Sequence, residues 1–177
     1  MNSEKLSMNS IKIVDYRPGH QYYFELFNRK WIEEFYELEE IDKYVLQNPE
    51  EAIISKGGAI LMALYDDEVA GTVALRKIDD ATFEFTKMAV DAKFRRRGIG
   101  EALCYASFCK AAEMGATKII LYSNTRQASA VRLYERIGFK HLPVTNDVYK
   151  RANVKMYINL DEELIKNSEV KILQPTN

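Results

Sequence analysis

The sequence predicts an α/β fold of the α+β kind, in which a mixed, mostly antiparallel central sheet of about six to seven strands carries helices on both faces. Three observations lead there. Three strand-like runs follow one another between Ala59 and Val90, joined only by short acidic turns, the pattern of an antiparallel meander. A strand, a helix and a strand then succeed one another from Thr82 to Tyr122, which sets the second of those strands parallel to the first. Helical periodicity also precedes the meander, from Tyr22 to Leu46.

Taken in order, Ile11 to Tyr16 alternates as a short strand, and Pro18-Gly19 breaks it. From Tyr22 to Leu46, Phe24, Phe27, Trp31, Phe35, Leu38, Ile41 and Val45 recur at helical spacing, as one long helix or two short ones closed by Asn48-Pro49. Asn48-Pro49-Glu50-Glu51 has a capping residue, a proline for the first turn and acids for the positive end of the dipole, so a further helix is expected before Gly57-Gly58. Strands follow from Ala59 to Tyr65, Val69 to Ile78 and Thr82 to Val90, turning at Asp66-Asp67-Glu68 and Asp79-Asp80. A helix from Ile99 to Met114 stops at Gly115, Lys118 to Tyr122 reads as a buried strand, and a helix from Ala128 to Ile137 stops at Gly138. Phe139 to Leu142 and Asn153 to Leu160 form the last strand pair. Residues 1–10 read as a polar N-terminal tail, 11–167 as a single domain and 168–177 as a C-terminal tail, loose from Lys171 onward.

Composition excludes several classes. The 177 residues suit one domain with a full core, and 47% apolar with 29% charged residues is ordinary globular usage. A net charge of −1 argues against a dedicated nucleic-acid binder, which needs a broad basic surplus. No run reaches transmembrane length and residues 1–10 lack the apolar core of a secretion signal, so no membrane partner and a cytoplasmic location are expected. Cys104 and Cys109, five apart, match neither a disulfide framework nor a metal spacing. His20 and His141 have no ligand partners at metal spacing and read as surface or capping residues, so no metal is expected.

The chemistry concentrates in Arg95-Arg96-Arg97-Gly98-Ile99-Gly100, where the strand pattern stops and a helical pattern starts. A helix start offers unsatisfied N–H groups and the positive end of the dipole, which together hold a phosphate. Glycines let that anion approach the main chain, and the arginines add forked donors. The run is not a Walker loop, which needs Gly-x-x-x-x-Gly-Lys-Ser/Thr. Nor is it a dinucleotide fingerprint, because Leu103 stands where a third small residue belongs. By itself it is also compatible with a solvated basic turn.

Arg-x-x-Gly-x-Gly between a strand and a helix resembles the pyrophosphate-binding signature of the GNAT superfamily of N-acetyltransferases, which use acetyl-coenzyme A. A second block, from Leu121 through Asn124, Ala130, Leu133-Tyr134-Glu135 and Gly138-Phe139, is similar to the superfamily's later motif. The resemblance spans Ile11 to about Leu160 and is strongest from Phe83 to Phe139. One departure is Gln127, which stands where many members carry Asn; either Asn124 or Gln127 fills that role.

The resemblance implies that the fourth and fifth strands splay and that the pantetheine arm of acetyl-coenzyme A enters the gap, pairing with the fourth strand as an added strand would. Met88, Ala89 and Val90 would lie along that edge, with the amide near Met88 polarising the thioester carbonyl. Arg95, Arg96, Arg97, Gly98, Ile99, Gly100 and Glu101 would hold the pyrophosphate, with Asn124, Ser129 and Arg136 as further contacts. Tyr134 matches the tyrosine that faces the cofactor sulfur and serves as acid; the competing role is to cover a helix face. Glu84 matches the glutamate that handles the amine's proton; the competing role is an exposed strand glutamate. The partner is then a small-molecule or peptide amine, attacking directly in a ternary complex. A non-catalytic coenzyme A-binding module is the alternative, and a homodimer is left open. The aromatic group Tyr22, Tyr23, Phe24, Phe27, Trp31 and Phe35 reads chiefly as core in the region that lines the acceptor pocket of similar proteins. Glu33, Glu34, Glu37, Glu39 and Glu40 form an acidic face that favours a cationic amine if it points inward, or is simply solvated.

Overall fold

The computed structural model describes residues 10–145 and 149–174. Strands β1 (Ile11–Asp15), β2 (Ala59–Tyr65), β3 (Glu68–Lys77), β4 (Thr82–Val90), β5 (Lys118–Ser123), β6 (Lys140–Leu142) and β7 (Val154–Asn159) form one sheet in the order β1-β2-β3-β4-β5-β7-β6. Every neighbouring pair is antiparallel except β4 and β5, because the chain between those two returns through helix α3 (Ile99–Glu113).

The sheet separates two cores. On one face, helices α1 (Gln21–Phe35) and α2 (Glu40–Gln47) bury Phe24, Ile32 and Leu46 against Ile60, Met62 and Ala74. On the other, α3 and helix α4 (Ala128–Ile137) bury Ile99, Leu103, Phe108 and Tyr134 against Leu61, Leu75, Phe83 and Phe85. Each of these large apolar side chains contributes roughly 1.5–3 kcal/mol through burial. Close approach of α3 to the sheet depends on Gly71, where a Cβ would lie 3.1 Å from both Ala89 O and Ile99 Cγ2.

Two segments differ from expectation. The capped start at Asn48-Pro49 leads only to a single wide turn, Glu50–Ile54, because the chain must reverse into β2 at once; a side chain at Gly58 would strike Leu75 O at 2.4 Å. The C-terminal boundary also moves. A domain ending at 167 with a loose tail from Lys171 gives way to helix α5 (Glu162–Leu173), capped by Asp161, whose carboxylate accepts from Leu164 N at 2.8 Å. Its sparse apolar residues Leu164, Ile165 and Ile172 pack on the α3 core, while Val170 and Leu173 stay exposed, so the periodic signal is weak. The long helical region resolves into α1 and α2, separated where Tyr36 turns extended and Glu39 caps the second helix. The polar N-terminal tail lies outside the described residues except Ser10, as do 175–177. Among the described residues, no helix is long and apolar enough to cross a membrane.

The feature that positions the site is where the β4–β5 ladder stops. Pairing runs from Thr82↔Lys118 to Phe85↔Leu121; beyond it β4 continues on β3 while β5 continues on β7. Between Thr86 and Ala89 the β4 strand carries one residue more than β3. That bulge is taken up at Lys87, whose φ of +53° is unusual for a side-chain-bearing residue. A bulge bends its strand and re-aims a side chain, which here separates β4 from β5 and turns Lys87 into the gap.

Candidate active site

The gap between β4 and β5 is a cleft of about 70 Å³, open to solvent, whose lining includes Glu84, Lys87, Met88, Asn124, Tyr134 and Arg151. Its floor is the edge of β4 left without a strand beside it. Ala89 and Val90 sit in the ladder with Thr72 and Gly71, so only their main chain is on offer along this edge.

Beyond Val90 the chain makes a short 3-10 turn, Ala92–Phe94, and then the arginine turn. Arg96 has φ +62° and Gly98, the N-cap of α3, has φ +79°. With Arg95 extended and left-handed residues at Arg96 and Gly98, the chain turns sharply here, and turns of this kind can present main-chain amides to an anion. The first amide bonded within this end of α3 is Ala102 N, which donates to Gly98 O at 3.0 Å, so those from Gly98 to Glu101 face outward at the positive end of the helix. Gly100 keeps the approach clear: a Cβ there would lie 3.3 Å from Leu133 Cδ2 and 3.9 Å from Met88 Cε. Ile99 contributes only its amide, since its side chain is core. Arg95 and Arg96 are exposed, and Arg97 lays its guanidinium over the Tyr65 ring at 4.8 Å, tying the turn to β2. These residues fit a diphosphate.

Tyr134 projects from α4 into the cleft, wedged edge-on between Phe85 and Phe139, each with a ring centroid 5.7 Å away. Burial, aided by nearby Cys104, pushes its phenol pKa above the ordinary value. Glu101 reaches Arg136 at 3.5 Å, a half-exposed pair that joins α3 to α4. Ser129 is exposed in the first turn of α4. Asn124 is engaged structurally: its amide donates to Arg151 O at 2.6 Å and its carbonyl accepts from Arg126 N at 2.9 Å. Gln127 lines the cleft as the N-cap of α4.

Glu84 is buried, only 1% exposed, and not a surface glutamate. Its Oε2 receives Arg76 at 2.7 Å and the Tyr149 hydroxyl at 3.2 Å. Burial and then the Glu84 charge hold the Tyr149 phenol protonated, its pKa well above the usual value.

Sequence reasoning missed the far wall. Asp42 on α2 is 2% exposed and accepts Arg151 through two bonds, Nη1 to Oδ2 at 2.8 Å and Nη2 to Oδ1 at 2.9 Å. Lys87 Nζ reaches the same Oδ1 at 3.1 Å. Burial opposes ionisation of Asp42, but the Arg151 guanidinium and Lys87 more than compensate and hold its carboxyl below the usual range. Burial also lowers the Lys87 pKa, only partly offset by Asp42. Trp31 and Tyr36 complete this wall, with the Arg151 guanidinium over the Tyr36 ring at 5.6 Å. By contrast, Glu33, Glu34, Glu37, Glu39 and Glu40 are exposed and do not line the cleft. His20 accepts from Arg17 N, and His141 pairs with Glu135 at the surface. The one signal for the far wall was the isolated Asp42 on the apolar side of a helix, and nothing local names its partners.

Comparison with known proteins places this geometry. Residues 20–139 match the model of the acetyltransferase (GNAT) family. The chain is 30% identical over 131 residues to human N-acetylaspartate synthetase, covering 70% of this chain but 40% of that protein, so it spans about two fifths of that relative's length. A GNAT-family acetyltransferase from Staphylococcus aureus superposes with a TM-score of 0.76 at 23% identity, over 86% of this chain and 100% of the other. Spermidine N-acetyltransferase from Vibrio cholerae, solved with CoA and spermine, superposes with a TM-score of 0.66 at 18% identity, over 85% and 95%. With both the family match over most of the domain and the splayed β4–β5 pair in the fold, the chain belongs to the GNAT family of acetyltransferases.

Proposed function

We propose that this protein is an N-acetyltransferase that moves an acetyl group from acetyl-coenzyme A to a primary amine by direct attack in a ternary complex, in the cytoplasm. The observation that carries the reading is adjacency: the outward amides at the start of α3 lie beside the cleft, Gly100 next to the Met88 side chain that lines it, and the cleft itself holds Tyr134 and buried Glu84. When bound, the thioester supplies an acyl group activated by a good leaving group. The amides from Gly98 to Glu101, with Arg95 and Arg96, hold the diphosphate. The β4 edge from Met88 to Val90 orients the pantetheine arm, and the amide near Met88 steadies negative charge developing on the carbonyl oxygen.

Tyr134 donates to the departing sulfur. A phenol near about 10 against a thiol near about 8.5 makes full transfer roughly 2 kcal/mol uphill even before burial, so a hydrogen bond carries most of the benefit. Glu84 receives the amine's proton. Against a primary amine near about 10.4, a carboxylate near about 4.3 faces roughly 8 kcal/mol. A cleft lined by Lys87 and Arg151 reduces that gap, because like charge disfavours the ammonium form, and the Tyr149 hydroxyl on Glu84 offers a relay for the proton. Cys104 is buried with a raised pKa, which supports direct attack over a covalent thioester on the enzyme. The acceptors in the names of the relatives, aspartate in one and spermidine in the other, agree on a small primary amine and differ in charge.

The test is thiol release from acetyl-coenzyme A across an amine panel. Amine-dependent release is expected, and Tyr134→Phe is expected to lower kcat about 100-fold while acetyl-coenzyme A affinity changes by less than about threefold. Tight acetyl-coenzyme A binding without release for any amine would favour the non-catalytic module instead.

A further inference from the structure

The geometry points to an acceptor that carries a carboxylate beside its amine, an amino acid as opposed to a polyamine, with Lys87 and Arg151 as the residues that receive that carboxylate. This rests on the acetyltransferase reading above and names the substrate class of the same site.

The charges around the acceptor end of the cleft are unequal in what they can still bind. The carboxylates are engaged, Asp42 through both oxygens and Glu84 through one, which leaves Glu84 Oε1 for the amine's proton. Asp42, 2% exposed, has Oδ1 taken by Lys87 and Arg151 and Oδ2 taken by Arg151. Glu84, 1% exposed, has Oε2 taken by Arg76 and Tyr149. The cations have donors to spare. An ammonium carries more N–H groups than the single bond from Lys87 to Asp42 uses, and a guanidinium more than the two that Arg151 gives to the same group. Both line the cleft, and the two buried carboxylates, Asp42 and Glu84, face three cations, Lys87, Arg151 and Arg76. A third group points the same way: Tyr36 lines the same wall, and its buried hydroxyl is without a hydrogen-bond partner among the described residues. Glu39 lies near Arg151 but is exposed and caps α2, so solvent screens it.

A cleft wall of this kind binds an anion and repels a polycation. A carboxylate placed against Lys87 and Arg151 gains charge-assisted bonds in a place where Lys87 is already buried and Arg151 partly so. A second ammonium in the same place would add a like charge to a low-dielectric pocket. The backbone conformation agrees: the bulge holds Lys87 at φ +53°, a conformation that side-chain-bearing residues avoid unless the surroundings impose it. The ion pair to Asp42 then fixes the ammonium inside the cleft.

The experiment compares matched acceptors on the full chain: aspartate, glutamate, alanine and phenylalanine, each against the form in which its carboxylate is an amide, with spermidine as the polycation. Thiol release and calorimetric binding to the coenzyme A-saturated protein are both read. The best acceptor is expected to be carboxylated and to lose at least 30-fold in kcat/KM and in affinity on amidation. Lys87→Met, which keeps the length of the side chain and removes its charge, is expected to shrink that ratio to below about fivefold with acetyl-coenzyme A affinity unchanged. Arg151→Gln serves as a second variant if Lys87→Met does not fold. Release with amides or spermidine equal to that with the acids would overturn the assignment and leave the acetyltransferase intact. Binding of the acids without release for any amine would overturn the acetyltransferase reading and leave the carboxylate site standing. A preference that survives in both variants would also overturn the assignment.

Discussion

Beside the start of α3 the groups on offer are main chain: amides that follow the left-handed turns at Arg96 and Gly98, and an open strand edge on β4. At the β7 end they are charged side chains paired across the fold, with Asp42 binding both Lys87 and Arg151, 45 and 109 residues away in sequence. The two ends therefore fail differently. A main-chain site is lost when backbone conformation changes and is indifferent to most side chains, whereas a buried ion cluster is lost when any one charge is removed, because the others are left unpaired. The difference suits one end to an invariant ligand such as a diphosphate and the other to a variable acceptor.

Substitutions can separate the two ends. The largest effect is expected from Asp42→Ala, which strands Lys87 and Arg151; a loss of about 3–5 kcal/mol in urea unfolding should accompany acetyl-coenzyme A affinity within about threefold of the parent. A comparable loss of coenzyme affinity in the folded variant would show that the ends are coupled. Next, Gly98→Val should weaken acetyl-coenzyme A binding by at least 100-fold in calorimetry, since a β-branched residue cannot hold φ +79°. Gly98→Asn, which tolerates that conformation, should stay within about tenfold; equal losses in both would mean the backbone is not what binds. The smallest effect is a pH dependence. Asp42 titrates lower in the folded than in the unfolded chain, so its stabilisation is complete above the unfolded value of about 3.9 and is lost as pH falls through the folded one. The stability difference between the parent and Asp42→Asn should be flat from pH 8 to about 5 and shrink below about pH 4, by up to about 1.4 kcal/mol per pH unit. A difference that persists unchanged in strong acid would remove the charge from the account.

Much of the fold was legible because its signals are local. The meander, the β4-α3-β5 unit and the caps at Gly115 and Gly138 follow from alternation, periodicity and turn residues within short windows. Glu84 is singled out by its match to the superfamily's glutamate, but its pairing with Arg76 and Tyr149 is not, since neither partner carries a local mark. The acidic run from Glu33 to Glu40 drew attention through its density and is solvated, while Asp42, an inconspicuous neighbour, is the carboxylate that faces the cations. Helix α5 escaped notice because only a few of its apolar residues reach the core.

What the amino-acid order determined by itself is the backbone machinery: a glycine-punctuated strand-to-helix turn makes outward amides wherever it folds, because helix starts and left-handed glycines have the same consequences in any protein. Only the tertiary structure decided the chemistry of the opposite wall, which lines the cleft with Lys87 and Arg151. Charges placed on α2, on a β4 bulge and before β7 have no relation along the chain, and they become one site only when the fold brings both cations within 3.1 Å of the buried Asp42 carboxylate.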